Sequence, residues 1–403
     1  MLTLITYIVF IVNVYHAILN PFGQIGDLPV KTILLIILII CLAIGTLFQL
    51  FYKEIKAHKS QWRTVGVFCF CIVYLFVVNG LIGLAKGNNP NYIFDNLNGY
   101  FFTFVIAFSI WFLTNKGIEL NSLIHHFVIA TTIVSIFSIT ILISYRLMPS
   151  LHASLVDIIF QYKMGSAFPY GGFIRLFMKS QIYSLAIAVV LLIRYLKNHN
   201  RTDIALMVVN LIPPFFAFTR SFWFSFIIVI VLFYLLDSRL GKVSKKKTAA
   251  IVVMFALFLG FVSIPIVNNR LLSSFSADEI GNAIRTEQYN YTKEYLRKDI
   301  LFGMGAGGEY FNQTYAIEST YHDALARYGV IGFSFLVVLI TYPMFSVILR
   351  YGRFNKNPPL TDYFFIGYFI VILVSITNPF LLSSLGMLYL GFLYGIMLTP
   401  QYI

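Results

Sequence analysis

Residues 32–52 read TILLIILIICLAIGTLFQLFY, without one charged side chain. A helix rises about 1.5 Å per residue, so this run matches a bilayer core of roughly 30 Å, which takes about 20 apolar helical residues. Further stretches carry the same signature: 2–19, 65–85, 99–114, 123–146, 178–196, 204–219, 221–236, 249–267, 325–347, 362–377 and 386–399. The run 204–236 is too long for one crossing. Pro213-Pro214 and the polar trio Thr219-Arg220-Ser221 divide it, which predicts two helices meeting in a tight hairpin. The sequence therefore predicts an all-α polytopic membrane protein with about 12 transmembrane helices.

Composition agrees. Of 403 residues, 59% are hydrophobic and 11% charged, and the mean hydropathy is +0.82. A soluble domain carries roughly a quarter charged residues, so the apolar excess needs the bilayer for its burial. No segment is long enough to build a separate core, and residues 1–403 read as a single membrane domain with one large extramembrane loop, 268–324. The N-terminus is apolar from Leu2 and lacks a basic leader or a small-residue cleavage site. It reads as a retained first span, ended by Pro21, Gly23 and Gly26. Cys41, Cys69 and Cys71 sit in apolar runs without metal-ligand company and read as packing residues.

Basic loops stay cytoplasmic, and the lysines and arginines alternate accordingly. With the N-terminus inside, the inner loops hold Lys53, Lys56, Lys59 and Arg63, then Lys116, then Lys197 and Arg201. Arg239, Lys242, Lys245, Lys246 and Lys247 follow, and then Arg350, Arg353 and Lys356. The connections 20–30, 87–98 and 378–385 carry none. Both termini are thus expected in the cytoplasm. The net charge of +13 flanks membrane spans, so no nucleic-acid partner is expected. Two outer segments break the trend: 147–177, with Lys163 and Arg175, and 268–324. A local anion is the simplest reason to keep cations there.

Arg220 lies between two apolar helices at the outer boundary, where an unpaired charge is costly. Ser221 is placed to cap the following helix, and a guanidinium beside a helix N-terminus makes an anion site. An arginine reaching to lipid headgroups has the same sequence signature. The long loop predicts a helix over roughly 278–298 in which Arg285, Gln288 or Tyr289, and Thr292 share one face, with Arg297 near its end. Gly303, Gly305, Gly307 and Gly308 follow. Without a βαβ context or a P-loop lysine they read as a tight connection and not as a nucleotide fingerprint. Five cations (Arg270, Arg285, Lys293, Arg297, Lys298) face eight carboxylates (Asp278, Glu279, Glu287, Glu294, Asp299, Glu309, Glu318, Asp323). Anion binding here has to come from individually placed residues. Tyr321 and His322 close the loop, and a neutral imidazole there suits a general base or a structural hydrogen bond equally. No set of His, Cys and carboxylates has metal-ligand spacing, so no metal or cofactor is expected.

The order of these features is specific. A Thr219-Arg220-Ser221 hairpin, a basic loop and a span precede a long outer loop. That loop holds Arg285-x-x-x-Tyr289, Asp299-Ile-Leu-Phe-Gly-Met-Gly305, His322-Asp323 and Tyr328-Gly-Val-Ile-Gly332. The pattern resembles the O-antigen polymerase and O-antigen ligase superfamily (Wzy and WaaL types) of bacterial surface-polysaccharide enzymes, most closely over 204–345. The resemblance implies a metal-independent, inverting glycosyltransferase of the bacterial inner membrane. Its large helical loop, about 268–324, and its active site would face the periplasm, and its donor would be a glycan on undecaprenyl pyrophosphate. Membrane lipids and a chain-length regulator protein are further partners it implies. Carried over by position, Arg220 and Arg285 match the family's arginines, His322 its catalytic histidine and Arg175 an arginine of the earlier outer loop. Tyr289, Lys163, Tyr321 and Arg297 stand as substrate-binding candidates beside them. The chain departs from the family at Tyr289 (often tryptophan), Ile300 (proline), Asp323 (asparagine) and Tyr328 (acidic), and Arg175 lacks the usual Arg-x-x-Gly context. Asp323, Glu287 and Glu294 therefore stand as alternative bases.

Three functions compete. A polymerase would move glycan onto the non-reducing end of a second lipid-linked repeat unit, and cations in two outer loops favour it, since it must hold two lipid pyrophosphates. An O-antigen ligase would use lipid A–core as acceptor. A polysaccharide-lipid flippase or anion transporter would need ionisable or discontinuous elements near the midplane, for which only Pro213-Pro214 speaks.

Overall fold

The computed structural model describes residues 1–20, 30–51, 59–170, 172–239, 245–272, 280–309, 317–351 and 360–399. The expectations placed on Pro21, Gly23, Gly26, Lys53, Lys56, Lys242, Asp278, Glu279, Arg353 and Lys356 lie outside these residues.

Helices come first along the chain: α1 (Leu2–Leu19), α2 (Val30–Phe51), α3 (Lys59–Val73), a π-helical turn (Tyr74–Val78), α4 (Asn79–Ala85), α5 (Pro90–Asn115), α6 (Leu120–Leu147) and α7 (Pro149–Gln161). The strands β1 (Gly165–Tyr170) and β2 (Phe173–Met178) follow. Then come α8 (Gln181–Asn198), α9 (Arg201–Phe216), α10 (Arg220–Arg239), α11 (Lys245–Val262), α12 (Pro265–Leu272), α13 (Ile280–Lys298), α14 (Thr320–Tyr351), α15 (Leu360–Val374) and α16 (Ser384–Leu398). Among the described residues seven helices are long and apolar enough to cross a membrane, and Arg220–Leu236, Tyr363–Val374 and Ser384–Leu398 are shorter apolar helices. The chain is thus a mostly helical, membrane-embedded protein. The strand content is small: the segment 147–177 contains one antiparallel β-hairpin among the described residues, in which Arg175 pairs with Phe168.

Two compact units emerge. The first comprises Met1–Phe127, Arg285–Leu349 and Ser375–Ile403. Its centre is α16, buried from Leu385 to Leu398 and packed on α5. A helix apolar on every side belongs in an interior. Close approach is set by size: a Cβ on Gly391 or Gly395 would lie 2.9 Å from Ile106 Cβ or 2.7 Å from Ile110 Cβ, the small-residue contact of membrane helices. Thr103 Oγ1 donates to the Met387 carbonyl at 3.0 Å across the same seam. On α5 itself, the side chain of Asn89 accepts from Asn91 N at 2.9 Å and Pro90 occupies the first helical position, a capped start for the helix.

The second unit comprises Val128–Ile284 and Arg350–Val374. Here α8 is buried from Gln181 to Ile193 and packs on α9 and α15. Polar side chains fix the rotation of the helices. Ser135 Oγ lies 2.9 Å from both Ser184 Oγ and Asn210 Oδ1, and Asn210 Nδ2 donates to Thr132 Oγ1 at 3.0 Å. Arg194 grips Asp203 with two hydrogen bonds of 2.7 and 2.6 Å, joining α8 to α9, the bidentate geometry that guanidinium favours.

In the first unit α14 is broken at Gly329 (φ 61°, ψ −172°). In a continuous helix Val330 N–H would bond the Ala326 carbonyl, and Ile331 N–H that of Arg327. The stretch 300–305 lies in the gap instead. Val330 and Ile331 donate to the carbonyls of Ile300 (2.9 Å) and Leu301 (3.2 Å), while Met304 and Gly305 donate to those of Ala326 (2.8 Å) and Arg327 (2.7 Å). These four backbone groups released by the break each have a new partner, as burial requires. His322 therefore sits on a short helical segment ahead of the break, and the long apolar run begins only after it.

Candidate functional site

The glycine-rich turn of the first unit is a wired joint. Residues 303–308 are all buried. The N–H groups of Gly303, Met304, Gly305, Ala306 and Gly308 donate to the carbonyls of Asp299, Ala326, Arg327, Asn79 and Gly305, and that of Gly307 donates to Asn96 Oδ1. A phosphate cradle needs free N–H groups, and all six of these already donate within the protein. Asn88 Nδ2 donates to the carbonyls of Met304 (3.0 Å) and Ala306 (2.8 Å). Lys86, at the end of α4, bonds both Asp299 and the Gly303 carbonyl. That ammonium holds the Asp299 carboxyl below the usual carboxylate range, with help from the Phe302 N–H. Arg327 is the centre of the joint at 3% exposure: Nε donates to Asp323 Oδ1 (2.8 Å), and Nη1 to Asn96 Oδ1 (2.6 Å) and the Gly308 carbonyl (2.7 Å). Asp323, an alternative base on sequence, is thus the buried counter-charge of Arg327.

Around this joint the loop candidates gather. On α13, Gln288 and Thr292 are buried while Tyr289 is half exposed. Gln288 Oε1 accepts from Glu318 N at 3.0 Å, tying the chain before α14 to α13. Arg285 Nε stands 2.7 Å from Glu318 Oε2. Tyr289 presents its ring to His322 edge-on, with centroids 5.4 Å apart and planes at 86°. His322 Nδ1 lies 2.9 Å from Ser319 Oγ. If Nδ1 carries the proton and Ser319 accepts it, Nε2 is left as the basic nitrogen. An arginine, an oriented imidazole and an aromatic wall therefore share one end of α13. Glu287, Glu294 and Arg297 lie on its exposed face, with Glu294 3.8 Å from Lys298, and Tyr321 is partly buried.

The second unit holds the other arginines. Helix α9 ends at Phe216, Phe218 takes left-handed backbone (φ 49°), and α10 begins at Arg220. The expected hairpin is present. Its divide falls at 217–219, whereas Pro213 and Pro214 lie within α9. Ser221 is inside the first turn of α10 and so is not its cap. Trp223 Nε1 closes the hairpin by donating to the Phe215 carbonyl at 3.3 Å. Arg175 reaches this turn from β2, its guanidinium 5.3 Å over the Phe168 ring and its Nε donating to the Ala217 carbonyl at 3.1 Å. Lys163, with left-handed backbone (φ 49°), precedes the β-hairpin. Its charge, after burial, helps to hold the Lys179 ammonium below its ordinary pKa. Next to the turn lies a cavity of about 310 Å³ lined by Phe173, Val208, Leu211, Phe215, Phe216 and Phe218 among other apolar side chains, with no polar lining.

Arg327, Lys86 and Lys179 are residues the sequence reading did not single out. The i, i+4 pair Asp323–Arg327 was legible as a helical ion pair, but nothing local marked it as buried. The β-hairpin did leave a signal. Gly171-Gly172 separates two runs rich in aromatic residues by two positions, which is hairpin chemistry. No three or more His, Cys, Asp or Glu side chains are grouped to hold a metal among the described residues. No protein-family model and no curated protein matches this chain.

Proposed function

We propose that the chain is a surface-polysaccharide polymerase: a glycosyltransferase that moves a glycan from undecaprenyl pyrophosphate onto the non-reducing end of a second lipid-linked repeat unit. The observation that carries this reading is the turn 217–219. One arginine follows it, a second binds its carbonyl from the β-hairpin, and a wholly apolar cavity adjoins it. A charged head with a long apolar tail is the ligand chemistry such an arrangement suits. Arginine offers phosphate two parallel donors and never loses its charge. In the first unit, Arg285 with Tyr289 and His322 supplies a second cationic group, in keeping with an enzyme that handles two lipid pyrophosphates.

The chemistry asks little beyond position. The acceptor hydroxyl oxygen attacks the anomeric carbon, its proton passes to His322 Nε2, and the carbon–oxygen bond to pyrophosphate breaks with inversion. Arginines stabilise the charge that builds on the leaving phosphate. In this reading the chain crosses the bacterial inner membrane about 12 times, with both termini cytoplasmic and the arginine-bearing segments periplasmic. Ligation to lipid A–core would use the same groups with another acceptor.

A transporter is the second reading, favoured by the break in α14 and the π-helical turn 74–78, since discontinuous helices mark transport sites. Against it, the carbonyls freed at Gly329 are occupied by the segment 300–305 and do not face a ligand.

Purified protein given only a lipid-pyrophosphate-linked repeat unit tests the reading. A ladder of multiples that Arg220→Ala and Arg285→Ala abolish is expected. Transfer only after lipid A–core is added would make it a ligase. Silence with both acceptors would refute group transfer.

A further inference from the structure

Arg285 is not waiting empty-handed. Its Nε and Glu318 Oε2 are both shielded from solvent and 2.7 Å apart. The two atoms nevertheless miss hydrogen-bond alignment, so the contact is one of charge. Both side chains remain about a third exposed, at 35% and 36%, so a ligand can reach them. Glu318 does not depend on Arg285 for its position. Its backbone N–H is held by Gln288 Oε1 at 3.0 Å, one turn along α13 from Arg285, and the preceding Ile317 is buried at 2%. The carboxylate can let go of the guanidinium while the chain beneath it stays put.

We propose that Glu318 is a resident counter-ion that a phosphate-bearing ligand displaces in order to bind Arg285. The inference rests on the reading of Arg285 as an anion-binding residue and adds a regulatory element to it. With Glu318 in place, the arginine offers no bare positive charge to small anions. A diphosphate brings more negative charge and several acceptor oxygens, and can align two N–H donors, whereas Glu318 Oε2 accepts no hydrogen bond from Arg285 Nε. Selection against weaker anions follows, because the competent state is only a fraction of the population.

The test is calorimetric titration of the detergent-solubilised full chain with inorganic pyrophosphate. A partly exposed ion pair of ordinary strength leaves Glu318 disengaged from Arg285 in a minority of molecules, so Glu318→Gln is expected to tighten binding about two- to sixfold. Glu318→Asp, which keeps the charge but shortens the reach, is expected to give a smaller gain and guards against a folding defect in the first variant. The gain has to vanish when Arg285→Ala is added to Glu318→Gln. Unchanged or weaker binding in Glu318→Gln, with binding still lost in Arg285→Ala, overturns the counter-ion role and leaves Arg285 as an anion site. A gain that survives in the double variant also overturns it, since a general field effect would then suffice. No pyrophosphate binding by the wild type or by Glu318→Gln overturns the anion site itself and the inference with it.

Discussion

Replacing Arg327 by methionine probes the joint that holds the candidate site. Methionine keeps most of the side-chain volume and removes every donor. Asp323, 8% exposed against its partner's 3%, then keeps a carboxylate in the interior without a counter-charge. Removing one partner of a buried ion pair costs about 3–5 kcal/mol. Burial at this level leaves little solvent screening to discount. The Gly308 carbonyl loses the Arg327 donor, whereas Asn96 Oδ1 still accepts from Gly307 N, so the expected loss sits near the middle of that range, about 4 kcal/mol. With an unfolding entropy of about 2.1 cal/mol/K per residue over 403 residues, a loss of that size lowers the melting temperature in detergent by about 5 °C. Intrinsic tryptophan fluorescence or nanoscale calorimetry reads it directly. Arg327→Met with Asp323→Leu is expected to recover much of the loss, because the uncompensated charge is gone. A melting temperature for Arg327→Met within about 2 °C of wild type would refute the reasoning and mean that Arg327 does not hold the glycine turn. Asp323→Asn bears on chemistry as well: a stable variant without transfer activity would return Asp323 to the role of base.

Gly305→Ala puts a Cβ 2.8 Å from Gly83 Cα at a backbone with φ 80°, whereas Gly117→Ala has φ 86° and nothing within 4 Å. Both incur backbone strain of about 1–2 kcal/mol, and only the first adds a clash of about 1–3 kcal/mol, so chemical denaturation should separate them; equal losses would refute the close packing of the turn on α4. Because Lys86 depresses the Asp299 carboxyl, its contribution is complete above the unfolded carboxylate pKa of about 3.9 and is lost as the pH falls through the lower folded value. The melting gap between wild type and Asp299→Asn should therefore narrow between about pH 5 and pH 3; a gap that widens toward acid would contradict the assignment. Filling the apolar cavity with Leu211→Trp is expected to slow transfer from a long-chain polyprenyl donor while sparing a short-chain analogue. Equal slowing of both would separate the cavity from the donor tail.

The helices were legible because lipid solvation imposes one-dimensional rules on a sequence. The run 32–52 became Val30–Phe51, and the loop helix expected over 278–298 appears as Ile280–Lys298. The trio at 219–221 located the α9–α10 turn to within two residues, although the prolines credited with dividing the run sit inside α9. What escaped was non-local. Gly303, Gly305 and Gly307 read as a tight connection, but the residues that hold the turn 303–308 in place, Asn79, Asn88 and Asn96, lie more than 200 residues earlier, beyond any local pattern. Gly329 entered only as part of the run Tyr328-Gly-Val-Ile-Gly332, since nothing near it announces that another stretch of backbone, 300–305, fills the gap. Within the candidate site, Arg285, Tyr289 and His322 were named from spacing and order, and the structure brings them together at α13 and the start of α14. Glu318 was counted only as one carboxylate among eight. Its meaning depends on which cation it touches.

The filled break in α14 also constrains how the protein is made. Entering lipid alone, the helix would carry two unpaired carbonyls and two unpaired N–H groups at Gly329 into a medium without water, at several kcal/mol each. The stretch 300–305 that satisfies them precedes α14 in the chain, but α4 and α5, which hold that stretch in turn, were synthesised far earlier. Insertion of the late helices is thus coupled to parts already in the membrane. A truncation after residue 300 or a deletion of 79–96 should leave the remainder as prey for membrane proteases and not as a folded half.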